Sequence, residues 1–236
     1  MTIASVVSSR RRAALRALAA GATLAATAAR AQADPFDNVR PSCVLTSAQT
    51  EGPYYVDEKL ERSDIRSDLG GKNARRGIAL VLALRLSAVT GTACAPLAGA
   101  SVDVWHCDAT GLYSDEDGLH TKESQFLRGY QVSDASGRVR FATIYPGAYR
   151  GRAVHIHFKV RVPRHDRRDE FTSQLYFDDA LTDRVHKAAP YAGALRRRTR
   201  NDEDGLFRAG GRALILDVRD AGDGYVAAYD VGLRAG

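Results

Sequence analysis

From Gly77 onward the chain is written in short runs of alternating or continuously apolar residues, each closed within a few positions by Gly, Asp or Pro. That pattern admits few architectures. Arg138 to Ile144 and Val154 to Val162 alternate clearly, and Ser101 to Cys107 sets Val102, Val104 and His106 on one face against Asp103, Trp105 and Cys107 on the other. Ile78 to Leu86, Ser173 to Phe177, Ala213 to Val218 and Tyr225 to Val231 complete the candidate strands. Asp134-Ala-Ser-Gly137 and Asp220-Ala-Gly-Asp-Gly224 supply turn chemistry between such runs. One helix fits inside the region, Leu181 to Ala189, with Pro190 ending it. Helical crossovers at the spacing of a parallel sheet are missing. The expected fold is therefore all-β, an antiparallel β-sandwich with few short helices.

Two segments precede that region. Residues 1–33 read as a signal peptide of the twin-arginine type: Arg10-Arg11-Arg12 is a basic start, Ala13 to Ala29 a weakly apolar stretch, and Ala31-Gln32-Ala33 a cleavage site. The mature chain is expected to begin at Asp34 and to reach the periplasm or the exterior. Residues 34–76 form a polar, turn-rich extension broken by Gly52-Pro53, and residues 77–236 form the β-rich domain. The net charge of +6 invites a nucleic-acid reading. Five arginines and no acidic residue lie in the leader, however, and the remainder has 29 basic against 28 acidic residues. A nucleic-acid partner is not expected, nor is a membrane role beyond export. The local run Arg196 to Arg198 with Arg200 reads as a solvated surface stretch. Cys43, Cys94 and Cys107 allow one disulfide and leave one thiol over; spacing does not say which two pair.

The sharpest local feature is His155-Ile156-His157. Two residues apart on a strand, both imidazoles face one side and can reach one metal, while Ile156 and Phe158 face the core. By itself H-x-H serves many metals. A zinc hydrolase would add a third His or a carboxylate, and an Fe(II) oxygenase a 2-His-1-carboxylate triad. Here the flanking sequence offers tyrosines: Thr143-Ile-Tyr-Pro-Gly-Ala-Tyr149-Arg-Gly-Arg152-Ala-Val-His155. Phenolates are hard anionic donors that suit Fe(III). His106 reads as structural or exposed, His120, His165 and His186 as surface residues, and Trp105 as core.

Four segments, in order, resemble the intradiol ring-cleavage dioxygenases, the family of catechol 1,2-, protocatechuate 3,4- and hydroxyquinol dioxygenases. They are Thr50-Glu-Gly-Pro-Tyr-Tyr55; Val102-Asp-Val-Trp-His-Cys-Asp-Ala-Thr-Gly-Leu-Tyr113; Phe141 to Tyr149 with Arg152-x-x-His155-Ile-His157-Phe; and Ser173-Gln174-Leu-Tyr-Phe177. The resemblance implies one non-haem Fe(III) held by Tyr113, Tyr149, His155 and His157, with Tyr149 the ligand displaced by substrate. It further implies Arg152 against the bound ring, Gln174 near the same pocket, and Tyr54 or Tyr55 at the entrance. The implied reaction inserts both atoms of O2 into a catechol-type diol, giving a cis,cis-muconate-type diacid. The interval from Tyr149 to His155 is shorter than in protocatechuate enzymes, and the helical region that joins catechol 1,2-dioxygenase subunits has no counterpart, so substrate and oligomeric state stay open. The competing readings are a non-catalytic β-sandwich binding module and a different metalloenzyme using the H-x-H pair.

Overall fold

In a computed structural model the described residues are 34–37, 40–163, 168–194 and 197–235, so the leader, His165 and Arg196 lie outside them. The period-two runs become two sheets. The first is built on β1 (Ala79–Thr90), which pairs with β2 (Ala93–Pro96) and β5 (Arg138–Ile144) on one side and β9 (Gly224–Arg234) on the other, with β8 (Asp217–Asp220) beyond β9. The second runs β4 (Arg128–Val132), β3 (Ser101–Trp105), β6 (His155–Pro163), β7 (Arg168–Tyr176). All pairings are antiparallel except β1 with β9, which run parallel from Ala79↔Gly224 to Val89↔Arg234.

The core lies between the sheets. Leu80, Leu82, Leu84 and Leu86 project from alternate positions of β1 onto Val102 and Val104 of β3 and Ile156, Phe158 and Val160 of β6, all fully buried. Each such side chain contributes about 1.5–3 kcal/mol by leaving water. With these residues turned inward, the opposite face of β6 must carry His155, His157, Lys159 and Arg161. All four are nevertheless buried, so that face is covered.

That cover is the extension. Thr46 donates to the Gly232 carbonyl on one sheet, and Gln49 N donates to Thr172 O on the other. Ser173 Oγ donates to Ser47 O, and Gln174 Nε2 to Thr50 O. Further on, Glu51 pairs with Lys159 and Tyr55 accepts from Arg161. A disulfide, Cys43–Cys94, ties the start of this strap to β2, while Cys107 stays free and buried. The bond spans 51 positions, and closing a loop of that length stabilises the fold by about 4 kcal/mol in the chain-entropy account. Cys43→Ser should lower the urea midpoint accordingly, and reductant should do the same to the wild type but not to the variant.

Several local expectations are corrected. The helix α1 covers Asp179–Val185 and ends four residues before Ala189. Its N-terminus is capped by the Asp178 carboxylate, which accepts from Leu181 N. Ala213 to Val218 is not one strand. A short helix α2 (Gly205–Arg208) and a 3-10 turn at Gly211–Leu214 lead into β8, because Gly210, with φ 139°, breaks the extended path. Strands β2 and β4 are additional. Arg198 is not a solvated arginine: it binds Asp179 and Asp183 and pins α1. His186 is half-buried, stacked on Tyr191 and bonded to Pro146 O, instead of lying on the surface. No helix among the described residues is long and apolar enough to cross a membrane.

Candidate metal centre

Register places the outer-face residues in rows. Trp105 on β3, His157 on β6 and Gln174 on β7 are direct cross-strand partners, and His155 faces Tyr176. Directly paired residues share a face, so the H-x-H pair sits between an indole and an amide. Both imidazoles are buried. His155 Nδ1 lies 2.6 Å from the Ala153 carbonyl, which fixes Nδ1 as the N–H and turns Nε2 toward the cluster.

Two loops bring the tyrosines. After β3 the chain turns at Asp108, whose carboxylate accepts from Thr110 N and Leu112 N and pairs with Arg75. Gly111 (φ +92°) completes that turn; a Cβ there would stand 2.6 Å from Ala148 O. Because Gly111 has no side chain, the loop that ends in Tyr113 lies flat on the loop that ends in Tyr149. Gly147 N bonds Asp108 O and joins the two loops. Tyr113 is fully buried, with its carbonyl accepting from Thr121 Oγ1. Tyr149 is half-buried.

The four side chains converge. From His155 Nε2 it is 3.0 Å to His157 Nε2, 3.2 Å to Tyr149 Oη and 3.5 Å to Tyr113 Oη. These are the spacings of neighbouring donors about one ion with bonds of about 2.0–2.2 Å. All four side chains are neutral as they stand. Burial, with Arg152 adding to it, pushes His155 down to about 3, and burial likewise lowers His157, so both imidazoles stay neutral. Burial raises both phenols above the usual tyrosine range, against the pull of Arg152. Lone pairs crowd one point, and the phenols ionise only against strong positive charge placed there. Among the described residues no group of three or more His, Cys, Asp or Glu could hold a metal; the oxygen donors at this point are the two tyrosines.

Arg152 lies beside the cluster. Its Nε donates to Asp204 Oδ2 at 2.9 Å, and its Nη2 donates to Gln174 Oε1 and, at 3.4 Å, to Tyr176 Oη. Gln174 is thereby tied to Arg152 on one side and to the strap on the other. Tyr54 stacks on Tyr113 with centroids 4.3 Å apart and meets Tyr149 edge-on. Tyr55 lies one ring further out, against Trp105, with its hydroxyl on Arg161, so only Tyr54 reaches the four converging side chains.

Three contributors were not anticipated. Asp204 ends the acidic run Asp202-Glu203-Asp204, a pattern typical of solvated surface, yet it is buried and also caps α2 through Leu206 N; an Asp directly before Gly-Leu-Phe was the available cap signal. Gly52 (φ +73°) lies so close to His157 that a Cβ would come within 3.3 Å of Cε1. Trp105 is buried in a core cluster with Cys107 and Tyr113, as expected, but it also stacks on His157 with centroids 5.0 Å apart and planes 7° from parallel.

A family model described as "Dioxygenase" matches residues 50–209. A chlorocatechol 1,2-dioxygenase from Pseudomonas putida is 35% identical over 101 residues, 35% of this chain and 36% of its own length. The chain therefore spans little more than a third of that curated relative. Among solved structures, an intradiol ring-cleavage dioxygenase from Tetranychus urticae superposes with a TM-score of 0.71 at 30% identity, covering 81% of this chain and 95% of that one. The dioxygenase domain of a dioxygenase carbohydrate-binding protein fusion from Streptomyces sp. SirexAA-E gives 0.61 at 30% identity, covering 82% and 100%.

Proposed function

The chain belongs to the family of intradiol ring-cleavage dioxygenases, and on that footing we propose that it uses one ferric ion to open a catechol-type ring between its hydroxyls, consuming O2 and yielding a cis,cis-muconate-type diacid. The observation that carries this reading is the convergence of two phenols and two imidazoles within 3.0–3.5 Å. Tyr113 Oη, Tyr149 Oη, His155 Nε2 and His157 Nε2 would hold the ion. Ferric iron bound there supplies the Lewis acidity that ionises the diol and readies its ring for attack by O2.

The protein's own groups divide the remaining work. Tyr113, buried and clamped under Tyr54, is the donor that stays. Tyr149, at the rim, is the one that can swing away, taking a substrate proton on its Oη. Arg152 sets a fixed positive charge beside the phenols, and Asp204 and Gln174 stop its guanidinium from turning. That charge favours an anionic ring over a neutral one in a site from which the strap excludes water. We also propose export, through the segment 1–33, with cleavage near Ala33; N-terminal sequencing of secreted protein tests it.

The iron-loaded protein should be red-brown from tyrosinate-to-iron charge transfer and should take up oxygen with some member of a panel of catechol, protocatechuate, hydroxyquinol and chlorocatechols. A colourless protein after iron loading would sink the ferric reading. Tyr149→Phe should bleach part of the colour and slow substrate binding, whereas an unchanged spectrum would assign the ligand to another tyrosine.

A further inference from the structure

The two imidazoles are held differently. His155 is fixed by a hydrogen bond from Nδ1 to the Ala153 carbonyl, whereas His157 Nδ1 is buried without a hydrogen-bond partner among the described residues. Stacking orients His157 instead, with Trp105 parallel over its ring. Trp105 is itself buried with its indole Nε1 unpartnered. That nitrogen has a natural counterpart. A cavity of ≈ 10 Å³ is lined by Trp105, Glu58 and Arg128, and Glu58 Oε1 is also buried and unpartnered there. Arg128 Nε stands 3.6 Å from that oxygen, beyond hydrogen-bonding range. The volume is about that of one water, and a buried N–H donor and a buried carboxylate acceptor on its lining residues are the partners that would order one.

We propose that a single buried water, accepting from Trp105 Nε1 and donating to Glu58 Oε1, locks the indole over His157, which makes Trp105 and Glu58 positioning residues for the metal. The inference rests on His157 as a ligand under the function proposed above. It deepens that reading by reaching from the ligand through a ring and a water to a carboxylate on the strap. A ligand without its own outer hydrogen bond depends on such packing for its aim.

Trp105 is the only tryptophan in the chain, so fluorescence excited selectively at tryptophan reports on this indole alone. In metal-free, full-length protein, Glu58→Leu should move the emission to the blue, since the indole N–H loses its polar partner. Glu58→Gln, which keeps an acceptor, should restore the wild-type spectrum. Unshifted emission in Glu58→Leu overturns the water link, as does a crystal structure without density between the two atoms. In the second arm, ferric iron is competed against a chelator. Trp105→Leu should weaken iron retention roughly 10–100-fold, the range for loss of outer-shell support, while Trp105→Phe keeps a ring over His157 and most of the affinity. Wild-type retention in Trp105→Leu, at wild-type far-UV circular dichroism, overturns the positioning role. A wild-type chain that binds no ferric iron overturns the metal reading itself, and the metal-free emission result remains interpretable on its own.

Discussion

Gly52→Val should yield a folded protein that no longer retains iron. Gly52 adopts φ +73°, a region a β-branched residue scarcely visits, so the backbone alone resists at a cost of about 1–2 kcal/mol. The side chain makes matters worse. Its Cβ would lie 3.3 Å from His157 Cε1, and the two methyl groups beyond it must enter the ring or push it aside. The strap cannot yield readily, because Gln49, Thr50 and Glu51 anchor it immediately before the glycine. The ring can, having no hydrogen bond at Nδ1. The expected outcome is a displaced His157, iron retention down by roughly 100-fold or more, taking the upper end of outer-shell effects as a floor, and turnover lost with it. Iron content and the visible band measure this, and far-UV circular dichroism checks the fold. A variant with the full band would show that the strap stands clear of the ligand.

The second large effect is expected at Asp204. Its side chain is 1% exposed against 17% for Arg152, and its carboxylate also accepts from Ala153 N and Leu206 N. Removing one partner of a buried ion pair strands the other and typically costs about 3–5 kcal/mol. For a domain of this size that lowers the melting temperature by roughly 6–20 °C. Burial works against ionisation of Asp204, but the Ala153 amide and the Arg152 guanidinium outweigh it and hold its carboxyl below the ordinary 3.8. A depressed carboxyl pKa stabilises the fold fully above the unfolded value and loses that stabilisation as pH falls through the folded one. The wild type should thus lose stability below pH 3.8, and Asp204→Ala should show a flatter acid limb. Turnover should fall as far as in Arg152→Ala, about 10²–10³-fold if the guanidinium acts as one preorganised charge. Iron content should stay near wild type in both. Equal loss of iron and turnover in Arg152→Ala would make Arg152 a structural residue.

The sequence made the sandwich legible because half-buried strands repeat with period two; β5 matches that period in burial, and β6 keeps it in residue type although both its faces are covered. The short β2 and β4 carry too few residues for a period to register. The parallel β1–β9 pairing joins segments far apart in the chain and leaves no local trace. At the site, Tyr113, Tyr149, His155 and His157 were readable from motifs, and the fold brings their polar atoms to one point. Asp204 was hidden because an acidic residue in an acidic run looks solvated until its partner is known. Trp105 is buried as its hydrophobicity indicated, and its parity with Asp103 already set it on the outer face with the histidines, where a small aromatic cluster of its own encloses it.

The disulfide between Cys43 and Cys94 closes the strap and β1 into one covalent ring. Within that ring runs an exposed stretch, residues 69–74, with Leu69 more than half open to solvent. A protease that cuts there leaves two pieces still joined, with the cover over His157 attached to β2. With the disulfide intact, such a nick should be silent in activity. It should become visible only when the protein is run reduced on a gel, or when reductant frees the strap.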